Sequence, residues 1–588
     1  MHLKVLACDL DGTLAEGGQV AAETWQSLRQ AREDGLALVL VTGRRLETFE
    51  STGPFAELFE AIVAENGAAI YFPRNDSVIL PFGRVAPEVV QRLEAQAIPL
   101  ERGVAIVATW VPYDEVVSLV LRDTGGSATV EYNKGAVMVL PPGATKGTGL
   151  QAALHELGYS LRNVIACGDA ENDRSLFEVS ELSVAVANAT PDIRALADFA
   201  LRDENGAGVR ALLGMLEHRA LPLYEPREAR RLLLGYRPDR TPWYLSPLAL
   251  LGSNVGIAGT SGSGKSWLAG LLAEELLRHG YQVCIIDPEG DYRGLRAFPH
   301  TLLLGGPATR LPAVAELVTL SEYTNVSLIL DLSGHEPEGR ARYVEKLIRG
   351  LFALRARRGR PHWLLVDEAH YFCPPSGGLT DLFMSGMRGG GVTIVSYQPG
   401  WVAQQLREAL DVWLVLRVLA DEDGSFLRRD GAEAACKDAC APDLTLLPLG
   451  QAYVWPQSER GEAWFERSLL TLPAARRFVP HVRHLHKYLK VPLPHEKRFF
   501  FRAGKTEGPC CAASLWEFRD ALGHLPIETI RYHLERGDFE RWLVDVLHDR
   551  ELARRVRKLA GRQLGDQALR EALRSTVAQR YEELEGLL

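Results

Sequence analysis

The chain has 588 residues, 46% of them hydrophobic and 24% charged, and carries a formal net charge of −9. Such a length exceeds a single core, which stops growing near roughly 250–300 residues, so two or three domains are expected. The acidic balance excludes a surface that grips polyanions throughout, because that affinity comes from Lys and Arg neutralising phosphates, and no run approaches the roughly 18 apolar residues of a membrane span. The N-terminal MHLKVLACDL lacks the basic stretch, long apolar run and cleavage site of a signal peptide, which predicts a soluble cytoplasmic protein with no membrane partner. Eight scattered cysteines make no disulfide framework: Cys8, Cys167 and Cys284 fall inside apparent strands and read as small reduced hydrophobes. The pairs Cys436/Cys440 and Cys510/Cys511 lack the spacing of a structural zinc site, and His481, His484 and His486 read as part of a solvated, Pro-flanked connector.

Residues 1–215 alternate short apolar runs with amphipathic stretches: LKVLACDL, then AAETWQSLRQAREDG and LALVLVTG, and later NVIACGD and LSVAVA. The rhythm predicts βαβ units and a doubly wound, Rossmann-like, mostly parallel sheet, in which ligands gather at the carboxyl ends of strands. The polar residues following the apolar runs are Asp9, Asp11, Thr42, Lys146, Asp169, Asn172 and Asp173. Four separated segments would thus bring acid, hydroxyl, amine and acid to one rim, a set suited to phosphoryl transfer to a carboxylate. Phosphate and attacking carboxylate are both negative, so Mg²⁺ and a cation must screen them. Asp9 would attack to form an aspartyl phosphate, Asp11 would protonate the leaving oxygen and then activate water, and Thr42 and Lys146 would hold phosphate oxygens. Asp9, Asp11, Asp169, Asn172 and Asp173 make the magnesium set, Asp169 completing the shell and Asn172 and Asp173 orienting it.

The motifs DLDGTL, VTGRR, the lysine of PPGATKGTGL and GDAENDRSLFE, with AENGAAIYF between them, resemble the haloacid dehalogenase superfamily of phosphatases, in particular its Cof-type members. The resemblance implies a phosphoric monoester hydrolase with an inserted small α/β cap over about 82–140. Larger caps of the family are associated with small esters such as sugar phosphates; the shorter lid here would also leave room for a bulkier substrate such as a nucleic-acid end.

Residues 216–250 read as a linker before a second domain, 251–475. The segment Gly259, Thr260, Ser261, Gly262, Ser263, Gly264, Lys265, Ser266 fits the phosphate-loop pattern, preceded by the apolar NVGIA and followed by the helical WLAGLLAEELLRHG. Its backbone N–H groups would cradle the phosphates of ATP at a helix N-terminus, with Lys265 on the β and γ phosphates and Ser266 on Mg²⁺. In PHWLLVDEAHYF a buried strand would present Asp367 to magnesium and Glu368 to the attacking water, and VTIVSYQP would end at Gln398, a sensor of γ phosphate or water.

The order of CIIDPEGDY, LILDLSG, LLVDEAH and MRGGGVTIVSYQP resembles HerA-like proteins of the HerA/FtsK branch of RecA-like P-loop ATPases over about 225–470. The resemblance implies a homo-oligomer, usually a hexameric ring, that moves DNA through its lumen and recruits a partner nuclease. It makes Arg388 and Arg417 candidate fingers on a neighbour's nucleotide. Two departures stand out: the phosphatase-like stretch occupies the place of the family's small N-terminal β-barrel, and Gly389 stands where a lysine is usual. Two basic patches, LRARRGR at 354–360 and PREARRLLLGYRPDR at 226–240, are candidates for DNA contact or for solvated helix ends and connectors.

After a linker at 476–494, residues 495–588 repeat apolar positions at three- and four-residue intervals through Leu515, Phe518, Leu522, Ile527, Trp542, Leu543 and Val546, predicting a small α-helical domain whose aromatics, His533 and Trp542 included, serve its core. The leading reading is a two-activity protein: a magnesium-dependent phosphatase fused to an ATP-hydrolysing, HerA-like DNA translocase of the helicase class, with DNA processing or genome defence as its setting. A polynucleotide end-healing phosphatase-kinase and a nucleotide-regulated scaffold are the alternatives.

Overall fold

The computed structural model describes the chain apart from residues 1, 50–51, 126–127, 134, 219, 223–229, 261, 307–308, 398, 419–441, 474–497, 504–505, 548, 563 and 586–588. Ser261, Gln398, the Cys436/Cys440 pair and the histidines of the 476–494 linker therefore lie outside the described residues.

In chain order the strands of the first unit are β1 (Val5–Cys8), β2 (Ala37–Val41), β3 (Ala61–Ala64), β4 (Ala69–Phe72), β5 (Ser77–Ile79), β6 (Glu101–Arg102), β7 (Val107–Trp110), β8 (Thr129–Asn133), β9 (Ala136–Leu140), β10 (Val164–Gly168), β11 (Leu182–Ala185) and β12 (Phe199–Ala200). One sheet runs β12-β11-β10-β1-β2-β3-β4-β5, parallel except where β4 and β5 turn back. β1, β2 and β10 are buried at every position, as continuous apolar runs covered by helices on both faces must be. β1 and β10 are hydrogen-bonded neighbours, so the acids that follow them meet at one sheet end. The remaining strands form the cap, a four-stranded antiparallel sheet in the order β6-β7-β9-β8, with the helices Pro87–Ala95 and Asp114–Thr124 packed on Val137 and Val139 of one face.

The second sheet has eleven strands: β13 (Leu232–Tyr236), β14 (Pro242–Leu245), β15 (Asn254–Ala258), β16 (Val283–Asp287), β17 (Thr301–Gly305), β18 (Ser327–Asp331), β19 (Trp363–Val366), β20 (Val392–Ser396), β21 (Val412–Val415), β22 (Gln451–Pro456) and β23 (Ser468–Thr471). They lie in the order β14-β13-β23-β22-β21-β15-β20-β19-β16-β18-β17, parallel from β21 onward and antiparallel at the β14 end. Residues 232–245, read from sequence as linker, are thus a hairpin on the edge of this sheet, its Leu232, Leu234 and Trp243 buried in the core. The tail adds a hairpin, β24 (Phe499–Ala503) with β25 (Thr506–Ala512), to its five helices. Phe499, Phe501, Phe518, Phe539 and Trp542 form its core, and His533 is held by the Arg502 N–H at 2.8 Å and by Asp538 at 2.9 Å. Among the described residues no helix is long and apolar enough to cross a membrane.

The two sheets are joined by polar contacts that engage two arginines of the first basic patch. Arg358 donates to the Leu157 carbonyl at 2.9 Å and Arg360, 1% exposed, to that of Gly158 at 2.7 Å. From the other side Arg162 donates to the His279 carbonyl at 3.0 Å, and the Tyr281 hydroxyl donates to both Glu181 oxygens at 2.8 and 2.9 Å. Burial pushes the Glu181 carboxyl up, but His2, Arg162 and Arg230 outweigh it and hold the group below the ordinary glutamate value. Arg230, from the second patch, caps the carbonyls of Glu181 and Glu178. Neither reading of LRARRGR, DNA contact or solvated helix end, describes Arg358 and Arg360: their charges are directed at backbone carbonyls across a domain boundary.

Candidate active sites

The first site forms where β1 and β10 end. Asp9 follows β1 and is fastened to its neighbour strand by its N–H to the Cys167 carbonyl. Lys146 opens the helix Lys146–Leu157, positioned by a capping box in which the Thr145 hydroxyl takes the Thr148 N–H at 3.1 Å and the Thr148 hydroxyl takes the Thr145 N–H at 2.9 Å. Its ammonium donates to Asp9 Oδ1 at 2.6 Å and to Asp173 Oδ1 at 2.7 Å. Asp173 in turn accepts the N–H groups of Asp169 and Ala170 with its other oxygen, which shapes the loop presenting Asp169. Asp9, Asp169 and Asp173 bring ligand oxygens within 4.8 Å of one another. Gly12, at φ +94°, has no alternative, because a Cβ there would overlap the Asp169 carboxylate.

Burial raises the Asp9 carboxyl to about 7, with Lys146 pulling it down and Asp173 and Asp169 pushing it up. Burial works against the Lys146 ammonium, but Asp173 and Asp9 outweigh it and hold its pKa above the usual lysine value. Three buried carboxylates with one ammonium are an electrostatic deficit that a hard dication would fill, and the Asn172 carbonyl oxygen beside them is buried without a hydrogen-bond partner among the described residues. The residues fit Mg²⁺: Asp9, Asp169 and Asp173 with Asn172 close by. Asp11 lies further out, its carboxylate gripped by Arg44 through Nε at 2.8 Å and Nη2 at 2.5 Å. Thr42 is fully buried at the end of β2, its hydroxyl accepting the Arg44 N–H at 3.1 Å.

Sequence reasoning passed over several residues of this site. Arg44 stands inside the quoted VTGRR, yet its pairing with Asp11 requires the fold. Asn66, in AENGAAIYF, accepts from Asn172 at 3.2 Å and donates to Met138 Sδ of the cap at 3.4 Å. Glu65 accepts the cap N–H groups of Val104 and Ala105, both at 2.8 Å, and so latches the cap to the core.

The second site lies between β15 and the helix Lys265–Arg278, which Gly264 starts at φ +107°. Lys265 is buried, donates to the Thr260 carbonyl at 3.1 Å and lies 5.8 Å from the Tyr397 ring centroid. Ser263 is buried and Gly262 exposed in the loop, Gly259 follows β15, and Ser266 is half-buried one residue into the helix. Asp367 and Glu368 follow β19, separated from β15 by β20 alone. Asp367 accepts the Glu368 N–H at 3.0 Å with one oxygen; the other is buried with no hydrogen-bond partner among the described residues. Burial, then Glu368, Asp291 and Asp287, push the Asp367 carboxyl well above the aspartate range, so this site too fits a hard dication, with Asp367 and Ser266 to hold it. Glu368 adopts the left-handed conformation at φ +46°, a strained backbone for glutamate and one that clusters at functional sites.

His370, unassigned from sequence, joins this loop to β20 through the Ser396 hydroxyl at 3.1 Å; burial first and Lys265 second lower its pKa to about 4, so it is neutral. Arg388 and Arg417 are both exposed. The Arg417 carbonyl accepts the Thr260 N–H at 2.8 Å, placing that residue beside the phosphate loop of its own chain.

Comparison with known proteins agrees with both halves. Residues 6–85 and 113–213 match the haloacid dehalogenase-like hydrolase family, and residues 233–350 match the central domain of helicase HerA. A phosphoglycolate phosphatase of Methanothermobacter thermautotrophicus is 29% identical over 214 residues, which are 35% of this chain and 96% of the relative. Phosphoglycolate phosphatase 2 of Saccharolobus solfataricus is likewise 29% identical over 214 residues, 36% of this chain and 90% of the relative. A haloacid dehalogenase-like hydrolase structure from Bacteroides thetaiotaomicron covers 36% of this chain and 99% of its own at 19% identity and a TM-score of 0.32. The chain thus carries two separate family matches, to the haloacid dehalogenase-like hydrolases at its N-terminus and to the central domain of helicase HerA after it.

Proposed function

We propose that the N-terminal unit is a magnesium-dependent phosphomonoesterase and the central unit an ATP-hydrolysing motor that acts on DNA as a homo-oligomeric ring, hexameric by analogy with HerA-like proteins, with a nuclease as a possible partner. The observation that carries the first half is the Lys146 ammonium within 2.7 Å of both Asp9 and Asp173. Asp9 is the nucleophile: its carboxylate attacks phosphorus, the ester bond breaks, and the phosphoryl group rests on Asp9. Asp11 gives its proton to the departing oxygen and takes one from the water that then hydrolyses the aspartyl phosphate. Both steps require Asp11 to leave its pairing with Arg44. Lys146 and Thr42 hold the transferring oxygens, and Asp173 keeps Lys146 aimed. A bound magnesium supplies the charge neutralisation that lets two anions approach. Phosphoglycolate, the ester in the relatives' names, is the first substrate to assay.

In the motor unit Lys265 and the loop amides hold the nucleotide phosphates, Asp367 and Ser266 hold magnesium, and Glu368 orients the attacking water. The DNA reading is supported by the HerA match; of the basic patch at 354–360, Arg358 and Arg360 lend it nothing, since they are committed to the domain boundary. Phosphate release from an aryl phosphate with and without EDTA tests the first half, and stimulation of ATP hydrolysis by duplex DNA tests the second. Ester turnover indifferent to EDTA, or ATP turnover indifferent to DNA, contradicts the corresponding half.

A further inference from the structure

The cap sheet presents one face to its helices and the other to the catalytic core. Val137 and Val139 pack on the cap helices, whereas Met138 and Leu140 pack with Ala68 and Ala144 of the core side, so the even-numbered positions of β9 face the site. Met138 fixes that orientation directly through its contact with Asn66, which is itself bonded to Asn172 of the catalytic loop. Glu131 on β8 is the cross-strand partner of Met138, and cross-strand partners share a face. The strand carrying Glu131 packs against the turn Glu171–Asp173. Across the sheet Ala108 pairs with Met138 and Trp110 with Ala136, leaving Trp110, 41% exposed, at the rim of the same face above two alanines. The roof over the phosphate site therefore carries a half-buried carboxylate on a floor of small residues and methionine. Burial raises the Glu131 carboxyl while Lys146 pulls it back, so the group lies in the field of the catalytic lysine.

We propose that Glu131 acts as a charge filter on the leaving group, admitting esters whose alcohol portion is neutral or cationic, with Glu131 accepting from its hydroxyl or ammonium, and disfavouring esters that carry a carboxylate beside the phosphoester. The inference rests on the phosphatase reading and sets this chain apart from the relatives named for phosphoglycolate. Two like charges meeting a few ångströms apart at an effective dielectric of about 20 discriminate by tenfold or more. Three esters of similar size test it on the full chain with Mg²⁺: 2-phosphoglycolate, 2-hydroxyethyl phosphate and phosphoethanolamine, with p-nitrophenyl phosphate as a general probe. The expected kcat/KM for 2-phosphoglycolate is at least about tenfold below the other two. In Glu131→Gln the ratio of 2-phosphoglycolate to 2-hydroxyethyl phosphate rises by about tenfold, and in Glu131→Lys it inverts; using a ratio cancels losses common to all substrates. A wild-type preference for 2-phosphoglycolate, or a ratio unmoved in Glu131→Gln, overturns the inference while p-nitrophenyl phosphate turnover leaves the phosphatase reading standing. Absence of turnover on every ester removes both.

Discussion

Lys146 can be replaced by methionine, which keeps its length and removes its charge. In the folded chain its ammonium is 1% exposed and is the cation bonded to both Asp9 and Asp173, with Asp169 close enough to share a ligand sphere. Removing one partner of a buried ion pair costs about 3–5 kcal/mol, because the remaining charge stays buried without compensation. For a unit of about 200 residues that corresponds to a fall in melting temperature of roughly 10 °C. Differential scanning calorimetry in EDTA measures it, and magnesium should return part of the loss because a dication neutralises the same carboxylates. Phosphatase activity should vanish with or without that recovery. An unchanged melting temperature in EDTA would refute the reasoning, since it would mean that the Lys146 contacts do not balance the buried acids.

The remaining predictions concern pH, the motor site and the domain boundary. The folded pKa of Asp9 is raised from 3.8 to about 7, so its folded carboxyl favours the neutral form; its contribution to metal-free stability is fully present below 3.8 and is lost as pH rises through about 7. Magnesium should flatten that dependence in thermal melts across the same window, and a metal-free contribution that grows with pH would contradict the assignment. Asp367→Asn should abolish ATP hydrolysis yet raise metal-free stability by about 1–2 kcal/mol, because it removes a buried carboxylate whose charged form the site disfavours; urea unfolding in EDTA checks the sign. Glu181→Gln should cost about 3 kcal/mol by leaving Arg162 and Tyr281 with a weaker acceptor, and should separate the melting of the two units in calorimetry.

Much of the architecture could be read from residue order because parallel strands buried on both faces are continuous apolar runs, and VLAC, ALVLV and VIACG each announce one. The convergence of Asp9 with Asp169 and Asp173 follows from the same logic, since residues beyond the carboxyl ends of the neighbouring strands β1 and β10 meet, whereas Lys146 reaches them from the start of the helix Lys146–Leu157. What stayed hidden depended on partners that spacing does not reveal. Arg358 and Arg360 look like polyanion or solvent contacts on charge alone, and only the fold turns them toward the Leu157 and Gly158 carbonyls. The hairpin at 232–245 was obscured by its charged flanks and by Pro242 at a strand start, a position that tolerates proline on a sheet edge. Glu131 carried no signal either: a lone glutamate in TVEYN gains meaning from its pairing with Met138.

The central claim, that one polypeptide carries two separate phosphate chemistries, is tested most directly by measuring both in two variants. Phosphate release from p-nitrophenyl phosphate and from ATP should dissociate: Asp9→Asn should lose ester turnover while hydrolysing ATP, and Lys265→Ala should lose ATP turnover while hydrolysing the ester. Loss of both activities in Asp9→Asn, with the fold intact by calorimetry, would contradict the account.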